Sequence, residues 1–185
     1  MLTRPKTYEV VHFMLTKKCN LNCKHCLYNS GKDKNEELTT SEMIKIVKSL
    51  NKLNIKHIHL EGGEPFLRKD FGLILKEFKT LNNITIVTNG TIPYSNKFKV
   101  LKENNISSVM FSLDNFARPK EAQYEKVIKN LLKFKKAQIP IKIRTTINKK
   151  NIGFIEEITK LALKLEIPLV RFGVYQSLGK GSQKE

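Results

Sequence analysis

The sequence predicts an α/β fold built on a parallel sheet. Two observations carry that expectation: short β-branched runs alternate with longer amphipathic segments about six times along 185 residues, and turn residues stand at each junction. Right-handed crossovers between sequential neighbours wind such units into a barrel or part of one. A doubly wound open sheet is the competing layout.

Taken in order, the first strand is expected at 8–15, directly before the cysteines. A helix follows at 41–53, where Met43, Ile44, Val47, Leu50 and Leu53 form one stripe. Thr40 or Ser41 supplies a hydroxyl to cap it. Strands at 55–60, 84–88, 107–113, 141–147 and 168–175 then alternate with helices at 71–80, 96–104, 120–138 and 152–165. Pro140 and Pro168 mark the returns from helix to strand, since proline cannot continue a helix interior. Residues 1–175 read as one domain and 176–185 as a polar, Gly-rich tail ordered only in part. No sixth helix covers the last strand, so the barrel lacks its final layer.

Composition narrows the function classes. With 40% hydrophobic and 28% charged residues, the chain suits one domain with a full core. No apolar run approaches the roughly 20 residues of a membrane span, and the first ten residues carry no secretory h-region. The net charge of +17 comes mostly from lysines spread over every predicted helix, a bias of solvated faces. Only 8% of residues are aromatic and none interleave with a basic stripe, which argues against nucleic acid as a partner. Three cysteines, all within 19–26, exclude a disulfide framework and favour a metal or redox site in a reducing cytoplasm.

Those cysteines, Cys19, Cys23 and Cys26, fall on the loop after the first strand, at the sheet edge where parallel α/β folds build active sites. Three thiolates in so short a span can hold three corners of a cuboidal iron–sulfur cluster. A four-iron cluster normally takes four cysteines, so one iron would stay open to another ligand. Zinc is the rival, with His25, His12, His57 or His59 as a fourth ligand. A zinc deaminase pattern is met only in reversed order, by His59–Glu61 after Cys23–Cys26.

The spacing C-x-x-x-C-x-x-C resembles the radical S-adenosylmethionine (SAM) enzymes. The resemblance implies a partial (β/α)6 barrel, a four-iron four-sulfur cluster on Cys19, Cys23 and Cys26, and SAM chelated at the open iron. Reductive cleavage of SAM to a 5′-deoxyadenosyl radical for hydrogen abstraction is the implied activity. His25 takes the family's usually aromatic place beside adenine, or is a solvated loop residue. Gly62, Gly63 and Glu64 match the GGEP motif at the end of the second strand. Two glycines there let backbone approach a ligand, and the projecting Glu64 carboxylate suits the methionyl ammonium. Glu64→Ala is thus expected to weaken SAM binding with the cluster intact.

Weaker matches continue along the strand ends. Asn89 lies in a Thr-Asn-Gly turn, as cofactor ligand or simple turn former. Ser112 and Asp114 resemble the Ser-Leu-Asp motif near the ribose and carboxylate, with Asn115 where the family often has glycine. Arg144 on the fifth strand suits the SAM carboxylate or points into solvent. The sixth strand around Phe172 and Val174 matches no strict motif, and both side chains are expected to pack in the core. The cysteine loop is most similar to peptide and tetrapyrrole maturases of the SPASM or Twitch type, whose C-terminal cluster domain these residues do not encode. The expected partners are therefore a peptide or small-molecule substrate and an electron donor such as ferredoxin or flavodoxin. The competing class is a non-catalytic iron–sulfur or zinc module for electron transfer or RNA contact; GGEP argues against it, because an electron carrier needs no ammonium site. The uncovered last strand, with Leu169 and Phe172 wet, leads to two expectations. A further C-terminal segment, a partner or self-association covers it, and SAM cleavage runs uncoupled from substrate.

Overall fold

Six parallel strands lie side by side in the order in which the chain makes them, β1 to β6. The computed structural model describes residues 7–31, 37–78, 81, 83–104, 106–114 and 121–182. The strands are β1 (Tyr8–Thr16), β2 (Ile55–Gly62), β3 (Ile84–Thr88), β4 (Ser108–Ser112), β5 (Ile141–Ile147) and β6 (Val170–Val174). Between them run α1 (Thr40–Leu50), α2 (Phe71–Lys76), α3 (Phe98–Glu103), α4 (Glu121–Lys136) and α5 (Phe154–Lys164). A strand order without reversal has no switch point, which excludes the doubly wound layout. Successive right-handed crossovers then put the helices on one face and curl the sheet into a half-barrel.

The strand pattern follows from that one-sided cover. On the helix-facing side Ile58, Leu60, Ile84, Ile86, Val109, Phe111 and Ile143 are buried in one cluster with Val47, Ile74, Leu101, Val127, Leu131 and Ile158. On the concave side the intervening residues are His57, His59, Glu61, Lys142 and Arg144. Burial of the apolar row against the helices stabilises by roughly 1.5–3 kcal/mol per large side chain. Tyr94, Phe98, Phe111 and Phe134 pack edge to face with centroids 4.9–6.4 Å apart, joining α3 and α4 to the sheet.

Helix ends depart from the sequence reading for local reasons. Thr39, rather than Thr40 or Ser41, caps α1. Its hydroxyl accepts from the Glu42 amide at 3.3 Å, and Glu42 accepts from the Thr39 amide at 2.8 Å. Thr40 Oγ1 instead donates to Asp70 at 2.6 Å. That helix closes at Leu50, where a tighter turn carries the chain to an exposed Leu53. The α4 and α5 termini share one device. Gln138 (φ 56°) and Glu166 (φ 52°) take left-handed backbone, and the next amides, Ile139 and Ile167, bond back to Phe134 and Ala162 at 3.1 and 2.9 Å. Pro140 and Pro168 follow at once. Of the expected helices, residues 79–80 and 120 lie outside the described residues, as does Asn115.

Candidate active site at the strand ends

The cysteine loop leaves β1 and is closed at its base. Lys18 and Gly31 form a parallel bridge, with Cys19 N–H donating to Gly31 O at 2.9 Å and Gly31 N–H to Lys17 O at 3.1 Å. Within it, amide donors already face sulfur: Leu21 N–H lies 3.4 Å from Cys19 Sγ and Ser30 N–H 3.3 Å from Cys26 Sγ. Asn89 Nδ2 adds a longer contact to Cys19 Sγ at 3.6 Å. Such donors favour thiolate over thiol. Cys19 is nevertheless pushed above its ordinary pKa, chiefly by burial.

Gly62 and Gly63 have a job that the motif alone does not reveal. A Cβ on Gly62 would stand 2.4 Å from Thr16 O, and one on Gly63 2.1 Å from Lys18 O. The backbone they admit is that of the cysteine loop itself, and Gly63 and Glu64 amides donate to Thr16 O and Lys18 O at 2.7 and 2.8 Å. Both glycines also line the cavity in front of the cysteines. Glu64 requires a correction. It does not project at the site edge; it is fully buried and is not among the residues lining that cavity. Its carboxylate accepts from Thr88 Oγ1 (2.9 Å to each oxygen), from Asn89 N–H (2.8 Å) and from Phe66 N–H (3.3 Å). A carboxylate inside a hydrophobic cluster needs those donors, and they draw it behind the motif.

Beyond Glu64, Arg68 ties the same turn to the rest of the fold. Its guanidinium binds Asp70 through two bonds of 2.8 Å and donates to Leu15 O and Leu38 O. The pairing with Arg68 lowers the Asp70 pKa to about 2.

The remaining expected residues converge. Asn89 is the turn former foreseen for it, its Oδ1 accepting from Thr91 N–H at 2.9 Å, and its Nδ2 also donates to Asn20 Oδ1 at 2.9 Å across to the cysteine loop. His25 Nε2 lies 3.4 Å from Asp114 Oδ2, so it is no solvated residue. Asp114 Oδ1 accepts from Thr146 N–H at 2.6 Å, which locks the ends of β4 and β5. Ser112 and Arg144 sit opposite each other in the β4–β5 register and line the same cavity. That cavity measures about 540 Å³ and is walled by all three cysteines, His25, Gly62, Gly63, Asn89, Ser112, Asp114 and Arg144.

Sequence reasoning missed a second set on the concave wall. The nearly buried Glu61 accepts from the Tyr28 hydroxyl, bonds His12 Nδ1 at 2.9 Å and meets Arg144 at 3.5 Å. Burial and the Glu61 carboxylate push the Tyr28 phenol well above its ordinary pKa. The available signal was positional, because Glu61 directly precedes the Gly-Gly pair and Tyr28 stands two residues after Cys26. Of the tail, residues 176–182 are described, with a 3₁₀ turn at Gly179–Ser182 laid against the cysteine loop.

The donor set suits a four-iron cluster better than zinc. Among the described residues no three His, Cys, Asp or Glu side chains converge as ligands of one ion. The three sulfurs instead border a cavity, with amide donors on two of them, a setting that suits the thiolates of an iron–sulfur cluster. No helix of the described residues is long and apolar enough to cross a membrane.

Comparison with known proteins gives the same result. The chain is 34% identical over 142 residues to a probable GTP 3′,8-cyclase of Pyrococcus horikoshii, covering 73% of this chain and 46% of that protein. To Fe-coproporphyrin III synthase of Methanosarcina barkeri it is 31% identical over 183 residues, covering 94% and 46%. To the sporulation killing factor maturation protein SkfB of Bacillus subtilis it is 26% identical over 176 residues, covering 91% and 43%. The chain thus spans about half the length of the curated relatives it matches. Streptococcus suis SuiB bound to S-adenosylmethionine shares the fold, with a TM-score of 0.77 over 97% of this chain and 43% of that one at 18% identity. The radical SAM superfamily profile matches residues 13–162, and with its cysteines, GGEP turn and half-barrel in place the chain belongs to the radical SAM superfamily of enzymes.

Proposed function

We propose that this chain forms the SAM- and cluster-binding core of an enzyme that modifies a peptide or matures a tetrapyrrole-like cofactor by hydrogen abstraction. The observation that carries the reading is a single cavity in which the cysteine loop faces the ends of β2 to β5, open toward the concave sheet. Cys19, Cys23 and Cys26 would hold the four-iron cluster, and Gly62, Gly63, Asn89, Ser112, Asp114 and Arg144 would surround SAM. When bound, the pair supplies an electron and a 5′-deoxyadenosyl radical.

The protein's own part is to hold and exclude. Asp114 holds His25 against the β4–β5 edge, where the ring would flank the adenine of bound SAM. Glu64 acts indirectly, by presenting the Asn89 backbone and the Gly-Gly turn. An electron donor such as ferredoxin or flavodoxin in the cytoplasm is the proposed reductant.

The concave face favours a substrate that carries carboxylates. Arg171 lies directly opposite Arg144 in the β5–β6 register, with Lys142 two residues away on the same face. Like charges placed so cost stability, and of these three cations Arg144 alone is paired with Glu61 among the described residues. Both the acidic side chains of a peptide and the propionates of a tetrapyrrole match this need.

Anaerobic reconstitution with iron and sulfide, then addition of SAM and dithionite, tests the reading. About four irons per chain and formation of 5′-deoxyadenosine are expected. Stoichiometric zinc without iron, or a full cluster that yields no 5′-deoxyadenosine, overturns it.

A further inference from the structure

After β6 the backbone turns back across the cysteine loop and touches it closely. Gly179 has φ 60°, and a Cβ there would lie 2.3 Å from Leu27 O and 2.5 Å from Cys26 O. Neither oxygen is at the end of a flexible side chain, so no larger residue fits without moving the loop. The next residue bonds the same segment: Lys180 N–H donates to Cys26 O at 3.0 Å. Its ammonium reaches across the loop, donating to Ser30 O at 2.6 Å and to Asn22 Oδ1. The turn is itself held, since the Tyr175 hydroxyl donates to Gly181 O at 2.9 Å and Ser182 Oγ to Gly179 O at 2.7 Å.

Asn22 and Ser30 bracket Cys23 and Cys26. One side chain therefore spans the segment that carries two of the three thiolates. Among the described residues no carboxylate pairs with the Lys180 ammonium; its partners are neutral oxygens. A cation so placed, on neutral oxygens among the described residues, complements an anionic occupant of the loop, and a cluster ligated by thiolates is one.

We propose that Gly179 and Lys180 form a clip that pre-organises the cysteine loop for its cluster, with Lys180 as a positioning residue. The inference rests on the reading of this loop as a cluster site, but the clip acts on the loop even without metal. An unheld loop must lose its conformational freedom when the cluster assembles; a clipped loop has lost it on folding. The clip also ties whatever moves the β6 end to the cluster, because Tyr175, Gly179 and Lys180 are continuous with that strand.

Two measurements test the proposal on Lys180→Gln, Lys180→Arg and Gly179→Ala. In the metal-free chain, alkylation of Cys23 and Cys26 by iodoacetamide, followed by mass spectrometry, should quicken by roughly tenfold in Lys180→Gln and Gly179→Ala, the scale of one lost charge-assisted hydrogen bond. Lys180→Arg should restore the wild-type rate, and the thermal midpoints of both Lys180 variants should stay equal to wild type, whereas Gly179→Ala, strained by its clash with the loop, should lower its own. In the reconstituted protein, iron loss to a chelator should quicken in the same order. Equal alkylation in wild type and Lys180→Gln overturns the clip, as does a faster rate that appears only with a lowered thermal midpoint. If the chain takes up no iron, the cluster reading fails, while the alkylation result still decides the clip.

Discussion

At the scale of single residues, Glu64 shows how burial redirects a motif. Its carboxylate collects Thr88, Asn89 and Phe66 as donors, so Glu64→Ala removes the acceptor of the Asn89 and Phe66 amides and one partner of Thr88, which keeps Tyr94. Chemical denaturation should report a loss of about 2–4 kcal/mol. SAM affinity should fall as well, through displacement of Asn89, with iron binding weakened through its contact to Cys19. A variant with wild-type stability and selective loss of SAM binding would return Glu64 to the direct role read from the motif.

His59 gives a residue-scale pH dependence. Burial first, and then the neighbouring charge of His12, lower its pKa from 6.5 to about 4. Its ring packs edge to face on His12 with centroids 4.9 Å apart. The unfolded chain binds this proton below about pH 6.5 and the folded chain only below about 4. Folded-state stability therefore falls as pH drops across that window and is fully present above it. NMR titration should find the His59 imidazole neutral at pH 5, and His59→Gln should flatten the acid limb of the stability curve.

At the scale of elements, the ends of α4 and α5 accept left-handed backbone at Gln138 and Glu166, where side chains cost energy. Gln138→Gly should stabilise by about 0.5–1 kcal/mol, once the greater freedom of unfolded glycine is subtracted. Differential scanning calorimetry checks this, and an unchanged or lower midpoint would count against it. The proline after each of these turns made the helix-to-strand passages legible. The residue that turns left was not, because nothing in Gln or Glu favours that region. The capping box at Thr39 and Glu42 was present as a pattern but competed with two further hydroxyls, and only geometry assigned Thr40 to Asp70.

At the scale of the molecule, helices on one face leave the concave side polar and open. Arg171→Gln should leave 5′-deoxyadenosine formation without substrate near the wild-type rate and weaken binding of a carboxylate-bearing substrate by roughly 1.5–3 kcal/mol. Equal losses in SAM cleavage and substrate binding would place Arg171 at the SAM site instead. At the open edge Leu169 and Phe172 are exposed, as expected for a last strand that no described helix covers, and so is Val174, which corrects the reading of Phe172 and Val174 as core residues.

The sequence alone determined the alternating architecture, the place of the cysteine loop at the strand ends and the family. Those depend on local period, on cysteine spacing and on short motifs, all of which survive without long-range contacts. Tertiary structure decided which carboxylate is buried and which is on show. Glu61 and Glu64 are three residues apart on one turn, yet one faces the cavity with Tyr28, His12 and Arg144 while the other is enclosed by Thr88 and Asn89. It also decided that a polar tail packs on the cysteine loop, because Lys180 meets Asn22 across 158 positions of chain. Neither pairing leaves a local pattern: each is selected by which donors the folded sheet brings within reach of a charge.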